Sequence, residues 1–492
     1  MTFDPIPSRA LFEEVSVRVA SPGAGAGRAL GLAVTATGEV PPGVPLDRAA
    51  LTEWGFGGKV GETLVLPREG GALILTGVGD HPSEAALRDA AAAFARAARR
   101  DDVLTTDLAV GEASAQAVVE GILLGRYAYD ALKSDPRTVP VREIVLLVDD
   151  AGADDARRGA DRGLVLARAA SLSRDLASTP AGHLTAPDLA DIAVWLAGEH
   201  GLDIEVFDEA ALVEMGCGGL LGVNAGSVVE PRMIVLRYTP AAEPRGHLGL
   251  VGKGITYDSG GISLKPSNAM HAAMKMDMSG AGAVLAAMTA LADLEVPVAV
   301  SAYLACTDNM PSGSATKLGD VLTSRSGRTI EVVNTDAEGR LVMADAIALA
   351  REDGVDAIVD IATLTGAALA ALGMLTAAVI GNDDGLLDLV EAAAEKTDEQ
   401  VWRLPLDRRY RKQLDSEVAD IKNLGGEYAG AITAALFLAE WVGDTPWAHL
   451  DIAGTMRSDA DDAWRTKGAT GFGARLLLEV ASTFGSRAGG SV

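Results

Sequence analysis

Basic runs, paired cysteines and long apolar stretches are what this chain of 492 residues has least of. Lys and Arg number 42 against 68 Asp and Glu, a net charge of −26. A chain so charged repels nucleic acid and anionic membrane surfaces in bulk. Its short basic stretches, Arg99-Arg100 and Arg408–Lys412, read as exposed helix ends. The two cysteines, Cys217 and Cys306, lie far apart and form no CxxC pair. Thiolate zinc and dithiol redox chemistry are thereby excluded, and two buried thiols in a reducing compartment are expected. No apolar run approaches the ~20 residues that cross a bilayer. Met1–Pro7 shows no basic stretch leading into an apolar one, so no signal peptide is expected and the chain reads as soluble and cytoplasmic. Aromatics are 4% of the chain, which leaves the core to aliphatic residues and alanine. The 6 histidines never take ligand spacing such as HExxH, so a histidine zinc site is not expected. Neither a GxSxG elbow nor a GxxxxGK[ST] phosphate loop is present.

What is present is ordinary for a folded enzyme-sized chain: 48% apolar and 22% charged residues, with 56 glycines. The length predicts two domains. Strand and helix patterns alternate throughout, which predicts α/β layers: a smaller N-terminal α/β domain over 1–155, a linking helix and turn over 156–184, and a larger α/β domain over 185–492 with a central mixed sheet flanked by helices. Ser83 is expected to cap a helix running to about Arg99, and a second helix is expected from Ser114 to Leu132. In the larger domain, strands are expected at Asp203–Phe207, Met233–Tyr238, Leu248–Gly252, Val298–Leu304, Ala357–Ile361 and Trp447–Ile452.

Three acid-bearing segments sit at predicted strand-to-helix junctions. The glycine-rich segment 253–266 carries Lys253, Asp258 and Lys265 and is expected to be a loop. Asp277 precedes an apolar helix. Asp336 and Glu338 fall in Asn334–Leu341, followed by Gly339 and Arg340. Acids before a helix also serve as caps or dipole partners, but a cap needs neither the glycine nor the arginine. Such junctions converge at one edge of a parallel sheet. Four carboxylates and an amine gathered there can hold two divalent ions, and an arginine beside them suits a bidentate grip on an anion.

In these residues the chain resembles the leucyl aminopeptidases. Asn334–Leu341 is similar to their signature, and 253–266, Met274–Met278, Asn309–Gly313, Asp360–Ala367, Ala429–Thr433, Pro446–Gly454 and Lys467–Gly471 follow that family in order. The resemblance is strong over 170–480 and only general before 160. It implies a metal-dependent aminopeptidase that removes N-terminal residues, Leu-like or Met-like, from peptides with a free N-terminus. By this resemblance Lys253, Asp258, Asp277 and Glu338 hold one metal. Asp258, Asp336 (side chain and carbonyl) and Glu338 hold the other, and Mn²⁺ or Zn²⁺ fits such ligands. Lys265 polarises the scissile carbonyl, and Arg340 holds a bicarbonate acting as base. Met274, Thr363, Leu364, Gly366, Ala453 and Met456 line the side-chain pocket, and the assembly is a homohexamer. The chain departs from the pattern by one extra residue between Met270 and Met274, by Ser279 in place of glycine, and at Thr316–Leu318. A DNA-binding accessory protein or an inactive metal-binding scaffold of the same family are the alternatives; the net charge speaks against the first and the complete ligand set against the second.

Overall fold

The structure, a computed structural model, describes residues 4–22, 27–135 and 138–485. It contains two compact units, Met1–Asp175 with Ser458–Thr470, and Leu176–Arg457 with Gly471–Val492. This division differs from linear boundaries at 155 and 184. The helix Ala153–Ser178 begins in the first unit because Ala156, Ala160, Ala167 and Ala170 share that unit's core, together with Trp464 from the returning segment.

The first unit is built on a six-stranded sheet. Its order is Ser16–Ala20, Glu143–Leu147, Val103–Thr106, Ala29–Val34, Gly71–Gly77 and Thr63–Arg68. All neighbours are parallel except the last pair. Ser83 caps the helix Glu84–Ala97 by accepting from the Ala86 N–H, as its sequence suggests. The helix expected to reach Leu132 stops at Arg126, and Tyr127 turns extended. Arg126 donates to the carbonyls of Ala98 and Asp101, a tertiary anchor that local propensity does not encode.

The second unit carries an eight-stranded mixed sheet. Its order is Val401–Arg403, Ala377–Gly381, Trp447–Asp451, Ala357–Ala362, His247–Asp258, Ala299–Asn309, Arg232–Tyr238 and Asp203–Phe207. The four strands from Trp447–Asp451 to Ala299–Asn309 are mutually parallel. Their C-terminal ends therefore lie along one edge, where Asp451, Ala362, Asp258 and Asn309 come together. The helices Gly339–Glu352 and Gly430–Val442 cover one face, with Val342, Ile347, Phe437 and Trp441 packed against Val251, Ile255 and Trp447.

One strand is much longer than its sequence suggests. It was expected to end at Gly252 and instead runs from His247 to Asp258. The glycines that read as a loop serve packing there. A Cβ on Gly252 would lie 2.7 Å from the Ala281 Cα, so the helix Ser279–Met288 can rest on the strand only because that Cβ is missing. The strand also carries a bulge. Ile255 pairs with Thr307 and Asp258 with Asn309, so two residues, Thr256 and Tyr257, stand against one, Asp308. Lys253 and Asp258 are five apart, which on a regular strand puts them on opposite faces. The extra residue restores the phase and turns both to the same side.

Candidate metal centre and peptide site

Lys253 is fully buried in the strand interior, and its Nζ is held by Asp277 Oδ2 at 2.8 Å, Glu338 Oε1 at 2.8 Å and the Thr363 carbonyl at 2.9 Å. Asp258, at the strand's end, accepts from the Gly260 N–H and from Asn309 Nδ2, each at 2.8 Å. Beyond it Gly260 and Gly261 have φ of 87° and 62°, the left-handed turn that brings the chain back on itself. Lys265 then returns to pair with Asp258 Oδ2 at 2.8 Å and Asp336 Oδ1 at 2.6 Å.

Two of the acids could have been helix caps, and neither is. Asp277 precedes the helix Ser279–Met288, whose N-cap residue is Met278, without a side-chain cap bond. Thr363 Oγ1 donates to Asp277 Oδ1 at 2.6 Å. Glu338 occupies the N-cap position of Gly339–Glu352, and its side chain caps nothing. Both carboxylates turn instead to Lys253. Asp336 sits in a loop tied to the 259–265 turn: Thr335 Oγ1 donates to the Gly260 carbonyl at 2.7 Å, and Asn309 Nδ2 donates to the Thr335 carbonyl at 2.9 Å.

The structure thus brings Lys253, Asp258, Lys265, Asp277, Asp336 and Glu338 into one cluster. Four carboxylates face two ammoniums, and most of this charge is buried. Burial works against the Lys253 ammonium, yet the charges of Asp277, Glu338 and Asp258 hold its pKa above the ordinary lysine value. Burial and the neighbouring Asp258 push the Glu338 carboxyl up, and burial does the same to Asp277. The cluster is short of positive charge. Asp258, Asp336 and Glu338 each place a carboxylate oxygen within 4.8 Å of the others. Glu338 Oε2 is buried with no hydrogen-bond partner among the described residues. An oxygen-rich, net-negative, underpaired cluster of this kind fits divalent cations.

Arg340 lies in the first turn of Gly339–Glu352 and is 4% exposed. Its Nε and Nη1 have no hydrogen-bond partner among the described residues. Burial lowers its pKa to about 10, against the pull of Glu338 and Asp451, and it stays a cation at neutral pH. Gly339 has its own reason. A Cβ there would lie 2.8 Å from Lys253 Nζ.

Beside the cluster is a cavity of about 210 Å³. Met274, Thr363, Leu364, Gly366, Ala453 and Met456 all line it, with Met270, Thr365 and Leu369. Its back wall is fixed by buried Asp451. That carboxylate accepts from the N–H groups of Leu364, Thr365 and Ala453, and from Thr365 Oγ1 at 2.6 Å. Sequence reasoning gave no role to Asn309, Thr335 or Asp451. Asn309 stood in a motif, but its job of holding Asp258 depends on a neighbouring strand 51 positions away.

Comparison with known proteins identifies the family. Residues 171–478 match the model of the cytosol aminopeptidase family catalytic domain, and 48–136 match that family's N-terminal domain. A protein of Solibacter usitatus named "Probable cytosol aminopeptidase" is 46% identical over 75% of this chain and 77% of its own. One of the same name from Alkaliphilus metalliredigens is 42% identical over 87% and 89%. The solved structure of the bottromycin maturation enzyme BotP in complex with Mn superposes with a TM-score of 0.85 at 39% identity, covering 94% of this chain and 100% of that one. The chain belongs to the cytosol aminopeptidase family, and it is a metal-dependent aminopeptidase acting on peptides.

Proposed function

We propose that the enzyme removes N-terminal residues with Leu-like or Met-like side chains, using two divalent ions held by the buried carboxylate cluster. The convergence of four carboxylates and Lys253 at the C-terminal edge of the sheet, beside a methionine-lined cavity, carries this reading. Lys253, Asp258, Asp277 and Glu338 would hold one ion. Asp258, Asp336 (side chain and carbonyl) and Glu338 would hold the other. Such ions supply an activated water and Lewis-acid polarisation of the peptide carbonyl. Held there, Lys253 would have to be neutral to act as a ligand, against the upward shift that the carboxylates impose. Mn²⁺ and Zn²⁺ both suit the donor set. The BotP complex with Mn favours Mn²⁺ as the first to try.

The chain's own groups do the rest. Lys265, which pairs with Asp258 and Asp336, would offer its ammonium to the carbonyl oxygen as charge develops there. Arg340, with two donors unspent, holds a bicarbonate as the base for the attacking water. Met274, Met456, Leu364 and Ala453 receive the apolar side chain, and Asp451 fixes the wall around it. Homohexameric assembly and a cytoplasmic location complete the proposal. They rest on the family resemblance, and light scattering against the 50.5 kDa chain mass tests the first.

The decisive assay is release of p-nitroaniline from leucine-p-nitroanilide by chelator-stripped enzyme, with Mn²⁺ or Zn²⁺ added back. Restored activity is expected, together with two ions per chain by elemental analysis. No turnover with either metal across a panel of aminoacyl groups sinks the proposal. Lys265→Ala should stay folded and keep its metals while kcat falls by about 10²-fold or more.

A further inference from the structure

Thr363 lines the cavity, and it also reaches into the carboxylate cluster. It follows the strand Ala357–Ala362, is 5% exposed, and has its backbone fastened on both sides. Before it, the Ala362 carbonyl accepts from the Ile452 N–H at 2.9 Å. After it, the Leu364 and Thr365 N–H groups both donate to Asp451 Oδ1. Branching at Cβ restricts χ1 as well, so little freedom is left to this side chain.

From that fixed point both of its oxygens meet the cluster. The carbonyl accepts from Lys253 Nζ at 2.9 Å. Oγ1 lies 2.6 Å from Asp277 Oδ1 and 3.0 Å from the Asp277 carbonyl. A hydroxyl has one proton to give, and the carboxylate oxygen is the nearer and stronger acceptor, so the bond goes to Oδ1. Among the described residues no other donor reaches that oxygen. The second oxygen, Oδ2, faces Lys253 Nζ at 2.8 Å. The two oxygens of Asp277 thus have separate tasks. One is anchored, and the other is presented beside the lysine nitrogen.

The chain brings these residues together across 86 and 110 positions. Close packing enforces it. A Cβ on Gly280 would lie 2.2 Å from the Ile361 carbonyl oxygen, so the start of the helix Ser279–Met288, with Asp277 just before it, rests directly on the strand that Thr363 follows. We propose that Thr363 is a positioning residue of the metal centre, its hydroxyl fixing Asp277 so that Oδ2 and the Lys253 nitrogen are offered together to one ion. This rests on the reading of the cluster as a two-ion site. Asp258, Asp336 and Glu338, the ligands proposed for the other ion, make no hydrogen bond to Thr363 among the described residues. A fault at Thr363 therefore falls on one ion and spares the other.

The test measures Mn²⁺ affinity step by step, titrating stripped enzyme against a competing chelator and following free Mn²⁺ by electron paramagnetic resonance. Wild-type enzyme should bind in two steps. Thr363→Val keeps the branched shape and removes the hydroxyl, leaving a buried carboxylate oxygen without its donor. One step should weaken about 10- to 100-fold and the other stay as it was. Thr363→Ser, which keeps the hydroxyl, should recover most of the loss. Should the valine variant not fold, Thr363→Ala removes the same hydroxyl without crowding and should show the same split. Two wild-type steps in either folded hydroxyl-free variant overturn the proposal. Equal weakening of both steps, unrecovered by serine, overturns it too, since that is what a loss of packing alone would give. Wild-type enzyme that binds fewer than two ions overturns the two-ion reading itself, a result separate from both of these.

Discussion

Replacing Gly339 by Ala adds one methyl group at a crowded point of the proposed metal centre. The new Cβ would lie 2.7 Å from Lys253 Cε, 2.8 Å from Nζ and 3.0 Å from Leu364 Cδ1. Comfortable contact is about 3.5–4.0 Å, so something must yield by roughly 1 Å. A free lysine would swing away, but Lys253 is pinned by Asp277, Glu338 and the Thr363 carbonyl. Moving it sacrifices at least one hydrogen bond to a charged group, about 1.5–3 kcal/mol. Overpacking without movement costs about 1–3 kcal/mol. The opposing gain, alanine over glycine in a helix, is at most about 1 kcal/mol and smaller in the first turn. Strain wins, and it falls on a proposed metal ligand. Displacing that ligand by about 1 Å is expected to cost on the order of 10²-fold in kcat/KM. The assay pairs kcat/KM on leucine-p-nitroanilide with metal content and the thermal midpoint. A folded variant with full metal content and wild-type kcat/KM would refute the reasoning, because it would mean that Lys253 need not stay where its partners hold it.

Further outcomes can be measured independently. Asn309→Ala removes the Nδ2 bonds to Asp258 and to the Thr335 carbonyl, so metal affinity measured against a competing chelator should drop about 10- to 100-fold; undiminished affinity would show that Asp258 is oriented by something else. Burial raises the pKa of Asp345 from 3.8 to about 7, even though its carboxylate accepts from the Leu220 and Arg325 N–H groups. Because the folded value lies above the unfolded one, the stability it contributes is complete below about pH 4 and lost as pH rises through 7. Between pH 6 and 8 this term falls by about 1.4 kcal/mol. Urea titrations of Asp345→Asn should lack that component of the wild-type pH dependence, and parallel pH slopes would refute it. Met456→Ala enlarges the cavity, so kcat/KM should shift in favour of phenylalanyl over leucyl substrates; an unchanged ratio would show that Met456 does not bound the side chain.

Much of the site could be read from the chain because its acids sit at junctions whose location is set by local pattern. Asp203–Phe207 has the strand limits that its sequence suggests, and Ser83 the cap. What escaped was set by partners distant in sequence. The glycine at 254 looks like part of a loop until Cys306 is known to press on it. Ser16–Ala20 is a half-exposed edge strand whose alternation, Val17 and Val19 against Ser16 and Arg18, was legible and overlooked. The helix Ala186–His200 was legible and overlooked, since Thr185 and Asp188 form a capping box around Pro187. Asp360 and His449 are ordinary residues in two apolar runs, and only strand pairing makes them neighbours.

The surplus residue in the strand His247–Asp258 has a consequence for how this enzyme can vary. Substitutions at Thr256 or Tyr257 exchange one side chain for another and leave the strand's phase alone. Deleting either residue changes no ligand's identity, yet it rotates Asp258 half a turn away from Lys253 and empties one corner of the cluster. Along this stretch, chain length is under tighter constraint than residue type, so a scan of point mutations would pass over the position where a single missing codon abolishes the site.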